Sequence, residues 1–158
     1  MAKARDIPGL EAELSFREAA ALAVGTRAGE VWEHEHRVLD TADIEGVHAM
    51  RVATRRLRAV LEIFEPCFPK KRHRKALREV KRLADVLGER RDPDVMIERL
   101  GAVGRGLTRE DAPGIESLVE ELRTGQSGAN ERLEATLREA EEKRLPQQLA
   151  LLAAEVRP

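Results

Sequence analysis

The sequence predicts an all-α protein, an antiparallel bundle of four to six helices. Three observations lead there. Alanine, leucine, glutamate and arginine dominate while tyrosine is absent, a composition that favours helix. Apolar residues recur at the spacing of amphipathic helices, and no stretch alternates with the period of a strand. Short clusters of Asp, Pro and Gly, suited to caps and turns, separate the periodic stretches.

Residues 1–9 read as a flexible arm ending at Pro8-Gly9, and residues 10–158 as a single domain. A first helix is expected from about Leu10 to Leu39, burying Leu14, Leu22, Val24, Val31 and Trp32, with Gly25 and Gly29 as weak points. The run "DTADIEG" supplies a turn, with Asp43 as the N-cap of a second helix from Ile44 to Glu65, before Pro66. A third helix is expected from Lys70 to Leu87, closed by Gly88. Asp92 as N-cap and Pro93 in the first turn would then start a fourth, fading at Gly101, Gly104 and Gly106. After a loop with Asp111 and Pro113-Gly114, a fifth helical stretch covers about Ile115 to Lys143, strained near Gly125 and Gly128. Pro146 opens a last segment ending at Val156.

The formal net charge of −1 hides an uneven distribution. Between His48 and Arg91 stand 14 of the 28 Lys/Arg residues but only five of the 29 Asp/Glu, so the remainder of the chain is acidic. Such asymmetry points to an anionic partner for the basic segment. Cys67 is the lone cysteine, so no internal disulfide forms and an oxidising compartment is not indicated. No apolar leader or membrane-length apolar run is seen, and the expected location is cytoplasmic, with no membrane partner.

On a helical wheel, Met50, Ala53, Leu57, Val60, Leu61 and Phe64 share a sector of roughly 100°, the core face of the second helix. His48, Arg51, Arg55 and Arg58 fall in the neighbouring sector and form a column, while Arg56 points to the far side of the core. Like charges at such spacing repel by a few tenths of a kcal/mol per pair, so folding alone does not call for the column. The third helix repeats the pattern: Lys70, Arg74, Arg78 and Lys81 line one flank, with Lys71, Lys75 and Arg82 beyond. Antiparallel neighbours could bring the two basic flanks together as one groove; the opposite handedness would separate them. Guanidinium groups present planar paired donors suited to phosphate oxygens, and a column repeating every turn suits a linear polyanion.

The run "VHAMRVATRRLR", followed by "LREVKRLADVLGERRDPDV", resembles the CHAD domain, the conserved histidine α-helical domain. That resemblance implies a helical bundle binding inorganic polyphosphate through basic side chains in a groove, sometimes in association with polyphosphate granules. It carries over to His48, Arg51, Arg55, Arg56 and Arg58 in the first motif and to Lys81 and Arg91 in the second, with Asp92 and Asp94 holding Arg91. Arg74 and Arg78 join the candidate site from the wheel alone. The usual CHAD chain has two similar helical halves, and nothing after Arg105 looks like a second basic helix. Either this is a half-length member or the chain stops early, and a homodimer restoring the double arrangement is expected.

Other readings compete. Nucleic acid is the nearest rival ligand, although aromatic residues for base stacking are few. A structural module, with its arginines paired to acidic helices of the same chain, is another. Catalysis, a cofactor and a metal site are not expected. His34 and His36 point nearly opposite ways on a helix, and no HExxH, P-loop or G-x-S-x-G pattern occurs. Cys67, beside Phe64 and Phe68, reads as a small apolar packer.

Overall fold

Ser15 starts the first helix of the computed structural model, which describes residues 5–106, 108 and 112–155. Its hydroxyl accepts from the Glu18 amide at 3.3 Å, and the Glu18 carboxylate accepts from the Ser15 amide at 2.8 Å. This reciprocal cap satisfies two otherwise orphaned donors. Helix α1 therefore spans Phe16–Trp32, shorter at both ends than the expected Leu10–Leu39. After Trp32 the chain tightens into a 3-10 turn, Glu35–Arg37, because Arg37 Nε reaches forward to Asp43 at 2.6 Å. Residues 1–4 of the expected arm, Asp111 of the expected loop and the expected helix end at Val156 lie outside the described residues.

Asp43 caps α2, Ile44–Ile63, as expected: its carboxylate accepts from the Gly46 amide at 3.2 Å. A Cβ on Gly46 would stand 2.8 Å from the Arg37 carbonyl oxygen. Glycine is required there by the close approach of the preceding turn. Beyond Ile63 a short 3-10 turn, Glu65–Cys67, carries the chain into the third helix. Cys67 is buried there, with its Sγ 3.9 Å from the Phe16 carbonyl oxygen.

The expected break at Gly88 and restart at Asp92-Pro93 does not occur. Helix α3 runs unbroken over 35 residues, Lys70–Gly104, with Pro93 inside it. An internal proline costs about 3 kcal/mol, and a buried polar cluster straddles it. Arg90 and Asp94, one turn apart and both fully buried, pair at 2.5 Å. Gln126 Nε2 donates to the same Asp94 oxygen at 2.6 Å, and Arg90 Nε donates to Asn130 Oδ1 at 3.0 Å. Asn130 in turn donates to the Leu39 carbonyl at 3.1 Å. The neighbouring helix thus splints α3 across its proline. Asp92, placed mid-helix and exposed, caps nothing.

That neighbour, α4, spans Ala112–Glu142 without interruption at Gly125 or Gly128. Neither glycine has a positive φ, and the buried stripe Gln126, Ala129, Leu133, Leu137 and Ala140 runs past both. Arg144, in the left-handed region at φ 52°, turns the chain into α5, Leu145–Ala154, with Pro146 in its first turn.

The described residues thus form five α-helices and no strand. α1 packs against α2 and α5, α2 against α3, and α3 against α4. Met50, Leu57, Leu61, Leu83, Leu87 and Leu133 are among the fully buried side chains, each contributing about 1.5–3 kcal/mol of apolar burial. α3 is longer than the bundle needs: beyond Asp94 none of its described residues is buried. Its last turns and the start of α4 form a hairpin on which Met96, Val103 and Leu118 remain exposed.

Candidate functional site

The two basic flanks meet. Glu62, at the end of the α2 column, accepts from Arg58 Nε at 3.1 Å and lies 3.0 Å from Lys81 Nζ on α3. A side chain of α2 and one of α3 thus converge on a single carboxylate, which fixes the handedness left open by the wheel. The donors of Lys81 and then Arg58 hold the Glu62 carboxyl below its ordinary value.

Along α2 from that junction, Arg55 is exposed, while Arg51 and His48 are half-buried. Among the described residues none of these three side chains has a hydrogen-bonding or ion-pair partner. Leu57 and Leu61, on the adjoining face, are buried, so the helix is anchored and the column cannot rotate away from solvent. Arg56 stands about 100° from Arg55 around the helix, on the other flank. Of the nine expected site residues, Arg56 and the largely buried Arg91 stand apart from this column.

Along α3 in the other direction the cations thicken. Lys70, Lys71, Arg74, Lys75 and Arg78 alone line an open depression of about 500 Å³. Of the five, Arg78 has a carboxylate near, Glu79 at 3.7 Å, and its side chain is 75% exposed. Glu79 is itself taken up by Lys143, just after α4, at 2.9 Å. Beneath this region the helix is held by His73, fully buried, whose Nε2 bonds the Leu61 carbonyl oxygen at 2.8 Å and whose ring stacks on Phe68. The wheel placed Arg74 and Arg78 in the candidate site, with Lys70 on the same flank and Lys71 and Lys75 beyond, and all five line this depression. The signal for them in the sequence is the run of cations from 70 to 75, interrupted only by His73.

Arg91 behaves differently. Its side chain is largely buried, 3.8 Å from Asp94 Oδ2, at the edge of the polar cluster around Arg90. Asp94 does hold Arg91, as expected, but its closer partner is Arg90, a residue that no charge pattern distinguished from its neighbour.

The acidic helix α4 neutralises the outer side of α3. Arg82 makes a two-pronged pair with Glu139 at 2.5 and 2.8 Å, and Arg132 of α4 reaches Glu89 at 3.2 Å. The pairing raises the Arg82 pKa and lowers that of Glu139. Arg72, beside the depression, pairs with Glu155 after α5. So Glu139 of α4 and Glu155 after α5 take Arg82 and Arg72, and among the described residues His48, Arg51 and Arg55 of the column and four of the five cations of the depression have no carboxylate partner.

Such a surface offers guanidinium and ammonium donors to a chain of anionic oxygens, without aromatic platforms alongside. No group of three or more His, Cys, Asp or Glu among the described residues could hold a metal ion. Nor is any helix of the described residues long and apolar enough to cross a membrane. The family model of the CHAD domain matches residues 23–158. No curated protein and no solved structure matches the chain.

Proposed function

From the premise that the chain belongs to the CHAD domain family, we propose that it binds inorganic polyphosphate along the trough between α2 and α3. The family is generally associated with polyphosphate binding and is in general a non-catalytic binding module. In this reading His48, Arg51 and Arg55 form one end of the trough. Arg58 and Lys81 form its middle, and Arg74 and Arg78, with Lys70, Lys71 and Lys75, the other end. Arg91 supports α3 from within and meets ligand only at its exposed edge.

The observation that carries this reading is the selective pairing of charge. On α4, Glu139 is used against Arg82, and Glu79 of α3 is taken up by Lys143 just after α4. Among the described residues the His48, Arg51 and Arg55 column has no such partner. A structural module would distribute its ion pairs the other way.

Titration with polyphosphate of defined length at several salt concentrations tests it. Binding should weaken steeply with salt, in proportion to the phosphates contacted. Polyphosphate should displace DNA or RNA at matched phosphate concentration, and displacement only in the reverse direction would favour the nucleic-acid reading. The chain is further proposed to self-associate, which would cover the apolar residues exposed on the α3–α4 hairpin. Light scattering showing a clean monomer at micromolar concentration would refute that part alone.

A further inference from the structure

Glu62 is the carboxylate that links the two helices of the trough, on the same column as Arg51, Arg55 and Arg58. It is held from two helices at once, by Arg58 at 3.1 Å and Lys81 at 3.0 Å, with its side chain 42% exposed. A carboxylate bridging two cations in this way has the contacts that a phosphate oxygen would have. We infer that Glu62 is an intramolecular substitute for ligand, an internal anion that a polyphosphate chain must displace to run the length of the trough. The inference rests on the proposed polyphosphate reading and goes beyond it, by assigning a residue that limits affinity.

Two consequences follow from the geometry. Arg58 and Lys81 are kept aligned across the trough before any ligand arrives, so less side-chain order is lost on binding. Their charge is also partly neutralised, so the free trough consists of two basic segments on either side of a weaker middle. A short anion can settle on one segment without disturbing Glu62. A long one must push the carboxylate aside into solvent, and its exposure makes that movement feasible. The depressed carboxyl pKa accords with this, since the group stays ionised under any ordinary condition.

The test compares wild type, Glu62→Gln, Arg58→Gln and the double variant Arg58→Gln/Glu62→Gln, titrated with tripolyphosphate and with long-chain polyphosphate over a salt series. Glu62→Gln should bind the long chain about five-fold more tightly, the effect of removing one screened charge beside the ligand. Its slope of log K against log salt should steepen by about 0.7, the single-strand value for one charge. Tripolyphosphate should respond less. Arg58→Gln should weaken binding only slightly in wild type and several-fold more in the Glu62→Gln background, a coupling that a double-mutant cycle isolates. Thermal melts of each variant establish that it is folded. If wild type binds and Glu62→Gln binds no tighter, or if the two substitutions are additive, the inference fails and the polyphosphate reading stands. If wild type itself binds neither polyphosphate, the reading fails first and takes the inference with it.

Discussion

Replacing Arg51 and Arg55 together by glutamine separates a ligand-binding column from a structural one. Neither guanidinium has a partner among the described residues, so the fold loses no ion pair. The two arginines are i,i+4 neighbours, and Arg55 and Arg58 are i,i+3 neighbours, so their mutual repulsion is relieved by a few tenths of a kcal/mol per pair. Thermal stability should therefore be unchanged or slightly raised. Binding should change far more.

A hydrogen bond to a charged group contributes about 1.5–3 kcal/mol when well sheltered, and an exposed pair about 0–1 kcal/mol. With Arg51 half-buried and Arg55 exposed, about 1 kcal/mol each is reasonable, together about thirty-fold in Kd. Two lost phosphate contacts should also flatten the salt dependence by about 1.4, the single-strand value for two charges. Titration calorimetry with long-chain polyphosphate across a salt series reads both quantities, and a thermal melt reads stability. A folded variant that binds with unchanged affinity and salt slope would refute the trough. A variant destabilised by more than about 1 kcal/mol, beyond the range of a surface substitution, would show that the column supports the fold instead.

Asp94→Asn should destabilise the protein by about 3–5 kcal/mol, because Arg90 would be left charged and fully buried without a counter-charge; chemical denaturation measures it, and a loss below about 1 kcal/mol would mean the cluster does not hold α3 across Pro93. Gly46→Ala should cost about 1–3 kcal/mol in the same assay, since the new Cβ meets the Arg37 backbone at 2.8 Å and the turn has to move. Acid should weaken the fold in a defined direction: Glu18, Asp43, Glu62 and Glu139 all have carboxyls held below their ordinary values of 4.5 for Glu and 3.8 for Asp. Their stabilisation is fully present above those values and is lost as pH falls through the lowered ones, so melting temperature should hold constant from neutrality to about pH 5 and drop below it. A decline beginning near pH 6 would point to other groups.

How much of this was legible in the sequence depended on the range of the interaction. The α2 boundaries and the Asp43 cap were readable because they are local: an aspartate three residues before a glycine amide has few other options. Breaks at Gly88 and Pro93 were expected on equally local grounds, and there local preference lost. The deciding contacts come from Gln126 and Asn130, more than thirty residues away on α4, and no window along the chain contains them. The α2 column was visible on a wheel because Leu57 and Leu61 define its zero of rotation. By contrast, nothing in a run of two arginines said that Arg90 would be buried and Arg91 left at the edge. That division follows from Asp94 lying a full turn beyond Arg90, on the side facing α4.

The near-zero net charge takes on a different meaning once the pairs are placed. Had the acidic residues been spread to neutralise every cation, each helix of the bundle would gain a little and no field would extend into solvent. Instead α4 and the chain after α5 supply Glu139 and Glu155 to the outer side of α3, while Arg51, Arg55, Lys70, Lys71, Arg74 and Lys75 repel one another along their helices. Local stability would improve if these were exchanged for mixed charges, so their presence is not explained by folding. Glu62 is an exception, held by Arg58 of its own helix and Lys81 of α3. One carboxylate there neutralises a cation from each helix and leaves the cations on either side charged. On the proposed reading, that arrangement relieves repulsion in the empty protein while keeping cations free for a polyanion.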